Sequence, residues 1–208
     1  APVGTADLSA YAAPGALTPA FRAVYLKLVQ ARRLEAVRRE LDQGRPVVIY
    51  NDFRQAPPAY RALARHLAAA AGLIDELYRA QKGSLRHLAA IPAGDSASRA
   101  LFERNHGPWC EAPQTEDDPF CSAAPSFPKK LSDAYPKGWE QDAAMCESLR
   151  QRPDGKALLD PFTVVREDGK GQPAPASLTV VYGEKMAKVA SELRLAAQSL
   201  GDDEAAFK

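Results

Sequence analysis

Two long stretches of helical periodicity, each opened by a proline and closed by a glycine, constrain this chain more than any other feature. In the first, Thr18 supplies a capping hydroxyl, Pro19 occupies the first helical position and Gly44 is a suitable stop. Phe21, Val24, Tyr25, Leu28, Val37 and Leu41 recur between them at three- and four-residue steps, the signature of an apolar helix face. Arg32, Arg33, Arg38 and Arg39 mark the wetter side. Glu35, Glu40 and Asp42 are interleaved with them, which predicts a solvated, salt-bridged face rather than a basic patch for an acidic partner. The second stretch begins at Pro57-Pro58, carries Leu63, Leu67, Ala70, Ile74 and Leu77 on one stripe and ends near Gly83. The second helix can pair antiparallel with the first.

The remaining segments are shorter. Val47-Val48-Ile49-Tyr50 reads as a strand or a buried extended connection that ends at Asn51-Asp52. A short helix over Leu85 to Ala90 precedes Pro92, and Asp95 or Ser96 caps another helix that Asn105-His106-Gly107-Pro108 terminates. From Pro108 to Pro136 prolines and two cysteines argue for a long irregular loop, the best candidate for a functional loop by type. Trp139 to Arg150 reads as a helix, Phe162 to Val165 as a strand, and Leu178 to Tyr182 as its return after an Asp168-Gly169 turn. A final helix from Gly183 places Met186, Val189, Ala190, Leu193, Ala197 and Leu200 on its buried face. Asp202 to Lys208 resembles the acidic first turn of a further helix, with Phe207 as an anchor whose periodic partners lie outside the chain.

The fold class that follows is mainly α: a helical domain with a small β-hairpin and a long Pro- and Cys-containing loop, complete in itself or part of a larger two-lobed protein. Residues 1–17 form an N-terminal tail in this reading, and 18–208 form a single helical domain or the N-terminal part of a larger one. At 208 residues and 46% hydrophobic content, the chain can bury a substantial core. Its 27 Lys plus Arg against 26 Asp plus Glu leave no charge excess to hold a nucleic-acid backbone. The longest Ala-rich apolar stretch, Leu67 to Ile74, is far below the roughly 20 residues of a membrane span. An N-terminus that opens Ala-Pro-Val-Gly-Thr-Ala fits a mature end left by signal peptidase or a cut boundary, so the expected location is periplasmic or secreted with the cytoplasm left open.

Cys110, Cys121 and Cys146 do not form the Cys-x-x-Cys spacing of a zinc or redox site. In an oxidising compartment Cys110 and Cys121 are candidates for a disulfide across the irregular loop. Cys146 is read as a buried or half-buried free thiol, with a bridge to either other cysteine as the competitor. His66, His87 and His106 form no His-x-x-x-His or His-Glu-x-x-His pair, so no metal ligand and no catalytic residue is assigned. His66 and His87 are expected in solvated or packing roles, and His106 at a helix end among the carbonyls. Asp117-Asp118 is read as surface charge. Trp109 and Trp139 are read as anchors of the loop on the helices, with ligand stacking as the alternative. Gly-x-Ser-x-Gly, phosphate-loop and dinucleotide fingerprints do not occur.

Three stretches carry a resemblance. They are Gly94 to Trp109 (Gly-Asp-Ser-Ala-Ser-Arg-Ala-Leu-Phe-Glu-Arg-Asn-His-Gly-Pro-Trp), Asp160 to Gly169 (Asp-Pro-Phe-Thr-Val-Val-Arg-Glu-Asp-Gly), and Val180 to Glu184 with the helix leading to Lys208. Together they resemble the region upstream of the active site in bacterial dipeptidyl-peptidase III-like zinc metallopeptidases. The resemblance implies a two-lobed, largely helical peptidase with zinc in a cleft, of which this chain is a non-catalytic N-terminal portion that forms cleft wall and substrate support. It also implies a peptide substrate, a C-terminal continuation or companion chain, and zinc held by a downstream region. The zinc-helix motif of such enzymes matches nothing here, so none of its residues is carried over. The alternative is an exported helical binding or scaffold protein without enzymatic activity, which presents the Cys110 to Pro128 loop to a partner.

Overall fold

The computed structural model describes residues 10–13 and 16–201. The chain is mainly helical. It divides into two compact units, Ala1–Arg45 with His87–Lys129 and Pro46–Arg86 with Lys130–Lys208. The acidic turn expected over Asp202 to Lys208 lies outside the described residues.

The first unit opens on a short hairpin, β1 (Ala12–Ala13) against β2 (Ala16–Leu17). It feeds α1 (Pro19–Asp42), where the Thr18 hydroxyl accepts the Phe21 N–H at 3.3 Å. α1 packs against α3 (Ser96–Arg104). The core between them holds Ala36, Val37, Ile91, Leu101 and Phe102, with Cys110, Cys121 and Ala123 of the following loop.

The expected apolar face of α1 reaches this core only through its C-terminal half, where Val37 is buried and Leu41 packs against it. Val24, Tyr25 and Leu28 are exposed. Arg33 and Glu40, assigned to the wetter side from sequence, are buried. The reason is helical geometry: positions 33, 36, 37 and 40 repeat at three and four residues and therefore share the stripe that faces α3.

The second unit is built on α2 (Pro58–Lys82), which Gly83 ends at φ 64°. That left-handed conformation at the residue after a helix is one that glycine adopts without steric cost. Within this unit α2 packs against α7 (Gly183–Gln198). Glu76 meets Lys185 at 2.6 Å and His66 meets Glu192 at 2.8 Å, so the two helices run antiparallel. Burial on this pair is thin. Ala70, Ala196 and Leu200 are buried, while Leu67, Ile74, Met186 and Leu193, all expected on buried faces, are exposed.

A second core of Leu149, Leu158 and Val165 lies under α4 (Ala143–Arg150), α5 (Gly155–Leu158) and β3 (Thr163–Glu167). α4 starts at Ala143 rather than Trp139, because Asp142 caps it by accepting the Met145 N–H at 2.8 Å, and the residue at a cap is not helical.

The return strand is β4 (Pro173–Ser177), antiparallel to β3 with Val165 opposite Pro175. The sequence expectation placed it at Leu178 to Tyr182. Asp168 closes the turn by accepting the Lys170 and Gln172 N–H groups, each at 2.8 Å, so pairing starts at once from Pro173. Prolines fit a sheet of only two strands, where each strand has an edge that demands no donor. Ser177 then caps α6 (Leu178–Val181) by accepting the Val180 N–H at 3.3 Å, which turns the β-branched run into a helical turn.

The run Val47 to Tyr50 is neither strand nor buried connection. Its four residues are 83, 86, 83 and 76% exposed.

Candidate functional site: the braced loop after α3

The loop from Pro108 to Pro128 has no helix or strand beyond a single bridge between Trp109 and Ser122. It is nevertheless fixed at both ends and in its middle. Cys110 and Cys121 are joined at an S–S distance of 2.06 Å, and Cys146 is a half-buried free thiol. Trp109 Nε1 donates to the Pro128 carbonyl at 2.8 Å, and its ring meets His87 edge-on at 5.7 Å. Trp109 therefore anchors the loop within its unit.

Two charged residues of α1 do the rest. Glu40 is 1% exposed, and its carboxylate accepts from Arg104 Nη2 at 2.6 Å, Asn105 Nδ2 at 2.9 Å, the Thr115 hydroxyl, and the N–H groups of Glu111 and Ala112 at 3.2 and 3.1 Å. Burial alone would raise its pKa, but the hydrogen bonds from Thr115, Asn105 and the two N–H groups outweigh it and hold the carboxyl below its ordinary value. Gln43, one turn on, donates to Thr115 Oγ1 at 2.7 Å and accepts the Gln114 N–H at 2.8 Å. The C-terminal turn of α1 thus supplies partners for loop backbone that no strand or helix satisfies.

Arg33 does the same for the other limb of the loop. Its Nη1 donates to Ser98 Oγ at 2.7 Å and to the Ser122 and Ala123 carbonyls at 3.1 Å each, and its Nη2 pairs with Asp95 at 2.7 Å. Asp95 also caps α3 through the Ser98 N–H at 3.0 Å. Burial would raise the Asp95 pKa, yet Arg33 and Ser98 lower it further than burial raises it. A guanidinium with several acceptors in fixed directions suits this role better than an ammonium would.

Asp118 differs from the free surface charge expected of it. It pairs with Arg39 at 2.8 Å and Arg32 at 3.6 Å and accepts the Phe120 N–H at 2.9 Å. Asp117 is exposed. The exposed tip of the loop between the two cysteines is Glu111, Pro113, Gln114, Glu116, Asp117 and Pro119.

The histidines are not brought together on any one element. His66 pairs with Glu192 on the second unit, His87 packs on Trp109, and His106 sits at φ 50° where α3 ends and Gly107 N–H returns to the Phe102 carbonyl at 3.0 Å. Trp139 packs against the Leu149 core and donates to Glu167 at 3.1 Å. Among the described residues, Glu40, Cys110 and Cys121 form the group with ligand atoms close enough to meet around a cation. They do not fit zinc. Both sulfurs are spent in a disulfide, and the carboxylate is filled by donors that include the Arg104 cation. What the site does chemically is hold an irregular segment rigid.

Sequence reasoning singled out the loop and its cysteines and missed Glu40, Arg33 and Asp95 as its supports. A signal existed: Arg33 and Glu40 continue the three- and four-residue spacing of Ala36 and Val37.

No protein-family model matches the chain, and no curated protein does. Its structure is similar to that of dipeptidyl-peptidase III from Corallococcus sp. strain EGB, with a TM-score of 0.62 and 24% identity over 82% of this chain. The match takes in 33% of that protein, so the chain spans about a third of its length. The fold is therefore like that of a part of dipeptidyl-peptidase III.

Proposed function

We propose that this chain serves as the N-terminal portion of a dipeptidyl-peptidase III-like zinc peptidase, in which it forms cleft wall and supports the peptide substrate without taking part in the chemistry. The observation that carries the reading is the fold likeness over 82% of the chain. The internal organisation is consistent with it. The stretch Gly94 to Trp109, one of those that resemble the family, supplies the Asp95 cap, Asn105 and Arg104 that fix the braced loop, which is what a rigid supporting wall requires. In this reading zinc and the catalytic residues belong to a continuation or companion chain, and the disulfide supports an oxidising, periplasmic or extracellular setting.

The second reading, an exported binding or scaffold protein, draws on the same loop, whose exposed tip is held still enough to be recognised. The two readings separate on whether a continuation or companion chain accompanies this one in its natural source, and the placement of the chemistry is tested on the purified chain. The peptidase reading expects the isolated chain to release no dipeptides from unlabelled peptides and to hold no stoichiometric zinc by elemental analysis. Dipeptide release or one zinc per molecule in pure material would overturn the assignment of chemistry to another region.

A further inference from the structure

The second unit holds an open groove of about 1050 Å³ between the exposed run that ends at Tyr50 and the first three turns of α2. Its walls include Tyr50, Phe53, Arg54, Arg61 and Arg65, with Asp52 as the acidic residue. Asp52 is occupied: Arg54 Nη2 meets it at 2.7 Å and Arg54 Nε at 2.9 Å. Among the described residues the Arg61 side chain donates to the Arg54 carbonyl at 3.2 Å, and neither it nor Arg65 has a carboxylate partner. The Pro57 N-cap of α2 offers no side-chain oxygen to the first-turn N–H groups, which leaves that end of the groove electropositive as well. The groove thus presents uncompensated positive charge beside two aromatic walls.

An independent feature adjoins it. The backbone of Val47 to Tyr50 enters none of the backbone–backbone hydrogen bonds among the described residues, although its β-branched sequence favours pairing. Exposed apolar side chains in a row, on a backbone with unused donors and acceptors, make an edge open to strand addition.

We propose that this groove takes an extended acidic peptide segment, which pairs its backbone with residues 47–50 and sets carboxylates against Arg61 and Arg65. Strand addition supplies register and affinity, and the guanidiniums select against basic sequences. The volume suits several residues of an extended chain rather than a single ion. The inference stands apart from the peptidase reading, since it concerns a groove wholly within one unit and needs no zinc.

The test is fluorescence anisotropy with a fluorescein-labelled Thr-Glu-Val-Glu-Val-Asp peptide and a Thr-Lys-Val-Lys-Val-Lys control at low salt. The acidic peptide should bind and the basic one should not, and Arg61→Glu with Arg65→Glu should weaken binding roughly tenfold or more. Both arginines are exposed, so the double variant is expected to fold, which far-UV circular dichroism checks. Val48→Pro or Ile49→Pro, whichever removes the N–H that faces the groove, should weaken binding roughly fivefold. Absence of binding, equal binding of the basic peptide, displacement by millimolar inorganic phosphate alone, or indifference to both proline variants would overturn the proposal.

Discussion

Removal of the Glu40 carboxylate should destabilise the loop and with it the first unit. The two oxygens are not equivalent. Oε1 faces Arg104 and Asn105, whereas Oε2 faces the Thr115 hydroxyl and the Ala112 N–H. In Glu40→Gln the amide nitrogen goes to the Oε2 side, where a hydroxyl can turn to accept from it. The loss is then the charge opposite Arg104 and one backbone bond, about 2–3 kcal/mol. Glu40→Ala strips every partner, leaves the Glu111 and Ala112 N–H groups without an acceptor and opens a void, for about 4–5 kcal/mol. Urea unfolding followed by Trp109 fluorescence in a Trp139→Phe background reports on this unit alone, since the chain has 2 Trp. The midpoint should fall in the order wild type, Gln, Ala at constant m. A loss below about 1 kcal/mol for the alanine variant, or a glutamine variant as unstable as the alanine one, would refute the argument that the carboxylate organises the loop.

Three further outcomes are expected. Reduction of the Cys110–Cys121 bond, which closes a sequence separation of 11, should lower stability by about 3 kcal/mol on loop entropy, read as a midpoint shift between oxidised and dithiothreitol-treated protein. An unchanged midpoint would mean that the Glu40 and Arg33 contacts hold the loop alone. Acid should weaken the first unit through Glu40 and Asp95, whose folded pKa values are depressed: their contribution is complete above the ordinary carboxylate range and is lost as pH falls through the lower folded values, below about pH 4. Stability that rises toward pH 3 would contradict that sign. Gly155→Ala should destabilise the second unit by about 1–3 kcal/mol, because a Cβ there meets the Leu149 carbonyl at 2.5 Å and the Arg150 carbonyl at 2.8 Å, and an unaltered melting temperature would show that the α4–α5 corner yields freely.

What was legible in the sequence was local. Thr18-Pro19 and Gly83 gave the ends of α1 and α2 because caps act through neighbouring atoms, and Asp95 or Ser96 gave the start of α3, where Asp95 is the cap, for the same reason. The mainly helical class and the irregular Pro- and Cys-containing loop followed from the same signals. Pairing was not legible. Both α1 and α2 carry amphipathic patterns, and nothing in those patterns says that α2 should lie on α7. The β4 strand was displaced because Pro173 and Pro175 count against strand in any propensity reading, yet a two-stranded hairpin tolerates them. Arg33 and Glu40 were assigned to water on charge alone. Their burial became possible only because a distant loop brings carbonyls, N–H groups and a threonine to meet them, a complementarity that no window of sequence contains.

The most direct test of the central claim is the intact mass of the protein from its natural source, taken under denaturing conditions that leave disulfides closed. The peptidase-portion reading expects a mass well above 22.5 kDa, or a second co-purifying chain that carries the zinc-binding helix. A mass of this chain alone, with no companion, would contradict the peptidase-portion reading and leave the scaffold function as the one to pursue.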